Sequence, residues 1–284
     1  MKKYFFLLVL SLAFVMPARA QSKIVTDSIQ SRLLGCEQKF NVYLPDGYDA
    51  ARSYPVLYLL HGLWDDYTGW EKKGGMQTVA NELIASEEIR PMVIVMPNAG
   101  NKDVHNYQNG YFNVKDWPYE DFFFQELLPA VEQKYHCGGS KGRRAVAGLS
   151  MGGGGAICYA LQHPDMFSSS YGMSAWLDNK DREVRGEDRP GSKLALTDLS
   201  VREHSALDFM DKADAATLEQ LKTVKWFLDC GDDDYLLHLS IALHLKMRKA
   251  GLREEFRVRN GRHNWEYWHL GLRLALPFAS RNFD

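Results

Sequence analysis

The chain has 284 residues, 45% of them hydrophobic and 25% charged, with a formal charge of −2. Loss of an N-terminal leader carrying Lys2, Lys3 and Arg19 removes three cations and takes that charge from −2 to −5. This mildly acidic balance argues against nucleic acid as a partner, since its phosphates are bound by a basic face.

The leader is read from three features in order: the basic pair Lys2-Lys3, the apolar run from Phe5 to Val15, and Ala18-Arg19-Ala20. Together they describe a secretory signal peptide cleaved after Ala20, and the run is too short for a membrane span. The expectation is an exported protein, periplasmic or secreted. Residues 21–284 then suit a single α/β domain, because no low-complexity linker or repeat divides them. The even count of cysteines (Cys36, Cys137, Cys158, Cys230) permits disulfides after export. Cys158 and Cys230 instead fall in apolar helix and strand patterns, where buried free thiols are expected, and no spacing suits zinc.

The first predicted strand is Lys39 to Leu44, with alternating polar and apolar residues, broken by Pro45-Asp46-Gly47-Tyr48. Pro55 to Leu60 is continuously apolar, as for a strand covered on both faces, and ends in His61-Gly62-Leu63. A helix over Gln77 to Glu87 precedes a second buried strand, Met92 to Met96. Strands alternating with helices predict crossovers and a mostly parallel sheet. The segment from Asn101 to Pro118 holds His105, Tyr107, Tyr111, Phe112 and Trp117, and its length predicts a functional loop. Tyr119 to Tyr135 reads as a helix kinked or restarted at Pro129.

Arg144 to Gly153 then runs from an apolar strand through Gly148-Leu149-Ser150-Met151-Gly152 into the apolar stretch Ala156 to Leu161. Strand, G-x-S-x-G and helix make a sharp turn that lifts a serine hydroxyl above the sheet. Met151 N–H opens the helix and points where an attacked carbonyl oxygen becomes negative. A Walker phosphate loop would want Lys-Ser/Thr after its last glycine, and Ala156 stands there instead.

Ser168 to Met173 follows as a strand, Asn179 to Ser192 as a charged loop, and Ser205 to Ala213 and Ala216 to Leu221 as helices. The last elements are the strand Val224 to Asp229, the helix Tyr235 to Gly251 and the edge-proximal strand Glu255 to Arg259. In the order serine, acid, histidine, the loops after the two late strands supply Asp232-Asp233-Asp234 and then His263. His263 would take the proton of Ser150, and a carboxylate would fix its tautomer. The residues alone leave the acid open among the three aspartates. His61 is read as holding its turn, His163 as ending the Ser150 helix, and His238 and His244 as too poorly aligned for a metal. His269 is the rival base, but it sits inside a helical pattern. With no H-E-x-x-H or other metal signature, neither metal nor cofactor is expected.

These residues resemble the α/β-hydrolase esterases that include esterase D, S-formylglutathione hydrolase, tributyrin esterase, bacterial feruloyl esterases and mycolyltransferases. The resemblance runs over nearly the whole mature chain, through Tyr43-Leu44-Pro45-Asp46-Gly47-Tyr48, Tyr54 to Gly62, Trp70, Gly148 to Gly153, His163-Pro164, Cys230-Gly231 with Asp234, and His263-Asn264-Trp265. It implies an α/β-hydrolase fold, Asp234 as the acid, His263 as the base, and the amide of Leu63 as the second oxyanion donor beside Met151. The expected activity is carboxylic ester hydrolysis through an acyl-serine. Export and a mouth rich in rings, with Trp64, Tyr67, Trp70, Tyr107, Tyr111, Trp117 and Trp265, point to acetyl or feruloyl esters of carbohydrate. Trp64, Trp117 and Trp265 are the expected substrate contacts. A thioesterase of the S-formylglutathione hydrolase kind, an acyltransferase and a non-catalytic carbohydrate-binding protein are the competing readings.

Overall fold

The computed structural model describes residues 21–100, 110–185 and 192–284. The expected signal peptide, His105 and Tyr107 of the long loop, and Glu187, Asp188 and Arg189 of the charged stretch lie outside the described residues.

The chain begins with two strands, β1 (Lys23–Gln30) and β2 (Glu37–Leu44), followed by β3 (Val56–Leu60) and β4 (Val93–Pro97). A small ribbon of β5 (Asn113–Val114) and β6 (Trp117–Pro118) comes next, and then β7 (Arg144–Leu149), β8 (Ser169–Met173), β9 (Lys225–Gly231) and β10 (Glu254–Arg259). Apart from the ribbon, these strands form one sheet in the order β1-β2-β4-β3-β7-β8-β9-β10. β1 with β2 and β2 with β4 are antiparallel, and every other neighbouring pair is parallel.

Each central strand serves two cores. Val56, Tyr58 and Leu60 of β3 face one apolar cluster, which includes Ala156 and Ile157 of the helix Met151–Gln162. Leu57 and Leu59 face the other, with Met76 and Val79 of the helix Met76–Ala85 and Leu272 and Leu276 of the helix Trp265–Arg281. Helices therefore cover both faces, which is why β3, β4 and β7 read as unbroken apolar runs. After β3 the chain steps outward to β4 and returns on the far side to β7. This reversal leaves a crevice between the carboxyl ends of β3 and β7, where open α/β sheets place their ligands.

Besides the short ribbon of β5 and β6 within the expected loop and a one-turn helix Gly69–Lys72, three larger elements differ from the sequence reading. β1 was not anticipated, because its Thr26, Asp27 and Ser28 give it the polarity of an edge. The helix Lys193–Glu203 follows directly on the charged stretch; its only local flag was Ser192, whose hydroxyl accepts from Ala195 N–H. The predicted helix Tyr119 to Tyr135 is two short helices, Tyr119–Phe122 and Leu128–Lys134, joined by a π-turn over Phe123–Leu127. Pro129 has no N–H to give a regular turn, and widening the turn before it removes the need.

β9 and β10 are tied by a buried ion pair. Asp229 is fully buried and receives Arg259 Nε at 3.0 Å and Nη2 at 2.6 Å, with Tyr171 and Tyr267 hydroxyls at 2.9 and 2.5 Å. Four donors satisfy a carboxylate that would otherwise be costly to bury. Arg259→Met should therefore destabilise the fold by about 3–5 kcal/mol, the usual cost of stranding one partner of a buried pair. Urea denaturation measures it, and a loss below about 1 kcal/mol, typical of exposed pairs, would mean that the pair holds nothing together.

Candidate active site

The site is built where four strands end. β7 delivers Ser150 in a strained conformation, φ 52° and ψ −118°, which a residue with a Cβ holds only when its surroundings enforce it. The enforcement is visible in three backbone bonds: Ser150 N–H to Met173 carbonyl, and the Gly154 and Trp176 amides to Ser150 carbonyl, each 2.9 Å. Two glycines make the turn sterically possible. A Cβ on Gly148 would collide with the Gly152 carbonyl, and one on Gly152 would lie 2.6 Å from Leu60 carbonyl oxygen.

β10 and the turn after it deliver His263. Asn264 caps the helix Trp265–Arg281 by accepting from Tyr267 N–H at 3.1 Å, which fixes the residue before it at the helix entrance. His263 Nε2 lies 2.9 Å from Ser150 Oγ, and Nδ1 lies 3.0 and 2.8 Å from the two carboxylate oxygens of Asp234. Tyr235 and Trp268 flank the imidazole with ring centroids at 4.6 and 4.9 Å.

The three aspartates after β9 have three different surroundings. Asp232 accepts from Gly261 N–H at 2.9 Å, Asp233 lies 3.9 Å from Arg262, and Asp234 alone reaches His263. Burial opposes ionisation of Asp234, but hydrogen bonds from His263, the Leu236 amide and Ser174 outweigh it and hold its carboxyl below the usual range. Asp234 is thus an anion whose acceptors face His263 Nδ1. That arrangement leaves Nε2 to exchange a proton with the serine.

β3 delivers the turn His61-Gly62-Leu63. A Cβ added to Gly62 would stand 3.6 Å from Ser150 Cβ, so this turn abuts Ser150. His61 fastens it: Nε2 accepts from Ala99 N–H at 3.0 Å, which leaves the proton on Nδ1, 2.8 Å from Gly62 carbonyl. Burial pushes its pKa down and keeps it neutral. Leu63 is buried and lines the cleft, and Met151 is the first residue of its helix.

The cleft encloses about 290 Å³ and contains Ser150 and His263 with Leu63, Trp64, Trp176, Tyr235, Trp265 and Trp268. A larger groove of about 1060 Å³ beside Gln21 and Ser22 holds none of the candidate catalytic side chains. Trp64 is 63% exposed at the mouth, and Trp265 donates its N–H to Asp65 at 3.2 Å. Trp117 is placed differently from expectation: it is 5% exposed and lines a separate small void with Phe112 and Leu196. Tyr111 is likewise buried, donating to His61 carbonyl at 3.1 Å, and Trp70 is core, donating to Leu60 carbonyl at 3.0 Å. Ser174, Trp176, Tyr235 and Trp268 were missed in the sequence. Ser174 and Trp176 follow β8, and the carboxyl end of that strand was the available signal. Among the described residues no group of histidine, cysteine and acidic side chains is arranged to hold a metal ion.

Comparison with known proteins agrees with this architecture. The family described as "Putative esterase" matches residues 31–279. A solved ferulic acid esterase is 44% identical, with a TM-score of 0.87, covering 93% of this chain and 99% of that one. The S-formylglutathione hydrolase of Staphylococcus aureus, 22% identical with a TM-score of 0.74 over 92% of this chain and all of that one, shares the fold. An endo-1,4-beta-xylanase/feruloyl esterase of Xylanibacter ruminicola is 34% identical over 142 residues, 48% of this chain and 19% of that protein. An esterase of Mycobacterium tuberculosis is 34% identical over 145 residues, 50% of this chain and 30% of that protein. The chain thus matches under a third of the length of these two relatives. The family match spans almost all of the described sheet and the cleft at its carboxyl edge, and on that ground the chain belongs to the esterase family, with an α/β-hydrolase fold.

Proposed function

We propose that this chain is an exported serine carboxylic ester hydrolase, one domain over residues 21–284, that acts through an acyl-serine on acetyl or feruloyl esters of carbohydrate. The observation that carries the reading is the unbroken hydrogen-bonded line from Asp234 through His263 to Ser150, with links of 2.8 and 2.9 Å.

In this reading Ser150 Oγ attacks the ester carbonyl while His263 Nε2 accepts its proton, and Asp234 stabilises the imidazolium. The carbonyl oxygen becomes an oxyanion between the amides of Leu63 and Met151, each such donor being worth ~10² to 10³ in rate. Collapse of the tetrahedral adduct breaks the ester C–O bond, and the alcohol leaves with the proton from His263. Water then attacks the acyl-serine, again giving its proton to His263, and the acid departs as Ser150 Oγ is reprotonated.

The substrate class is supported by the mouth, where Trp64 and Tyr235, 63% and 55% exposed, offer ring faces suited to sugars or aryl acyl groups. Trp265 lines the same cleft. The 44% identity to a ferulic acid esterase and the xylanase/feruloyl esterase name of one relative support the same class. Export rests on the leader pattern of residues 1–20.

Ser150→Ala should fold normally and lose at least ~10³ of its activity on p-nitrophenyl acetate, because the covalent route disappears while the oxyanion donors stay. Retention of more than about a tenth would rule out the nucleophile. A fluorophosphonate should label the native serine, and failure to react would favour a non-catalytic binding protein. Asp234→Asn should lower kcat by about 10³ or more, through the wrong histidine tautomer. Asp232→Asn and Asp233→Asn, at residues that do not touch His263, should stay within a few fold in the same assay. Across acetylated xylan, methyl ferulate, a feruloylated oligosaccharide and p-nitrophenyl esters, kcat/KM should favour the acetyl and feruloyl carbohydrates. A preference for long acyl chains or S-formylglutathione would overturn the substrate class and leave the serine mechanism standing.

A further inference from the structure

We propose that Arg182 is a specificity-determining residue that binds a carboxylate carried by the substrate, so that the preferred ester is an anionic one. The inference rests on the esterase reading above and concerns the same cleft.

Lys73, Arg185 and Asp234 at this mouth are each committed to a partner. Lys73 is bonded to Asp65 at 2.8 Å. Arg185 holds Asp198 through both its backbone amide and its guanidinium, with Nε to Oδ2 at 3.0 Å. Asp234 is committed to His263. Arg182 lines the cleft too, and among the described residues no carboxylate lies within ion-pair reach of its guanidinium. Among the described residues, Arg182 is therefore the cleft-lining cation without an ion-pair partner.

That cation is held in place. Arg202 donates to the carbonyls of Asn179 and Arg182 at 3.2 and 2.9 Å, and Asn179 donates to Asp198 carbonyl, which pins the segment to the helix Lys193–Glu203. The guanidinium stacks over Tyr235 with Cζ 5.0 Å from the ring centroid, Tyr235 packs on His263 at 4.6 Å, and His263 meets Ser150 at 2.9 Å. Stacking occupies one face of the guanidinium, and among the described residues its N–H edge makes no hydrogen bond, which suits the fork-shaped pairing that arginine makes with carboxylates. Arg182 thus stands one aromatic ring beyond the catalytic histidine. A substrate carboxylate, whether on the acyl side or on a uronic acid of the alcohol side, meets it there.

The test uses two matched pairs: mono-p-nitrophenyl succinate with its methyl ester for the acyl side, and a feruloyl uronic acid with its carboxyl-methylated form for the alcohol side. The readout is the ratio of kcat/KM for each anionic ester over its neutral twin. The native enzyme should favour the anion in one pair, which identifies the side, and salt should shrink the preference, as it does for accessible charges. Arg182→Gln should lower that ratio about tenfold, chiefly through KM, Arg182→Lys should recover part of it, and Lys249→Gln, far along another helix, should leave it alone. An active native enzyme with no anionic preference in either pair, or a ratio unmoved by Arg182→Gln, would overturn the inference while leaving the esterase reading intact. Absence of turnover with all four esters would overturn both.

Discussion

Everything at the cleft depends on the close approach of three backbones: the end of β3, the end of β7 and the start of the Ser150 helix. Gly152 packs against the carbonyls of Leu60 and His61, and Gly148 packs against Gly152, so the strand-to-helix reversal is completed within van der Waals contact. A serine held at φ 52° costs on the order of 1–3 kcal/mol, and the three amide bonds to its neighbours are what keep it there. The same approach brings the Gly62 turn beside Ser150. One steric constraint thus positions both the Ser150 hydroxyl and the Leu63 turn, the two parts that the proposed mechanism brings to the ester carbonyl.

The second half of the arrangement comes from the far side of the sheet. β9 and β10 run in parallel register, Cys230 beside Val258 and Gly231 beside Arg259, so the loops that follow them emerge together. The ion pair of Asp229 and Arg259 lies just below those loops, and Ser174, bonded to Trp268 at 3.1 Å and to the Asp234 carboxyl, joins the end of β8 to them. Asp234 and His263 are therefore presented from a scaffold that is already satisfied. The short loops have little freedom left to lose when substrate binds.

Much of this was legible in the sequence because the signal was local. The apolar runs of β3, β4 and β7 announced strands buried on both faces, and G-x-S-x-G between a strand and a helix announced the turn. The choice among Asp232, Asp233 and Asp234 was not local. Their composition is identical, and they differ only in which side of the turn faces the imidazole, which the family register indicated and periodicity did not. The rings were the hardest to read. Trp64 and Trp117 look alike on paper, yet one stands in solvent and the other is enclosed beside Phe112, because enclosure is decided by the helix Lys193–Glu203 packing from elsewhere in the chain. Tyr235, Trp268 and Arg182 carried no motif at all; they matter through what the fold sets beside them.

The four cysteines are unpaired, and Cys137, Cys158 and Cys230 are buried. Burial raises all three thiol pKa values, that of Cys230 to about 12, so almost none of any of them is thiolate near neutrality. Thiolate is the form that attacks disulfides and takes up oxidants. Sheltered in this way, these three sulfurs neither need an oxidising surrounding to complete the fold nor offer it a point of attack. The redox poise of the compartment, whichever it is, is left to meet Cys36, the one half-buried thiol of the four.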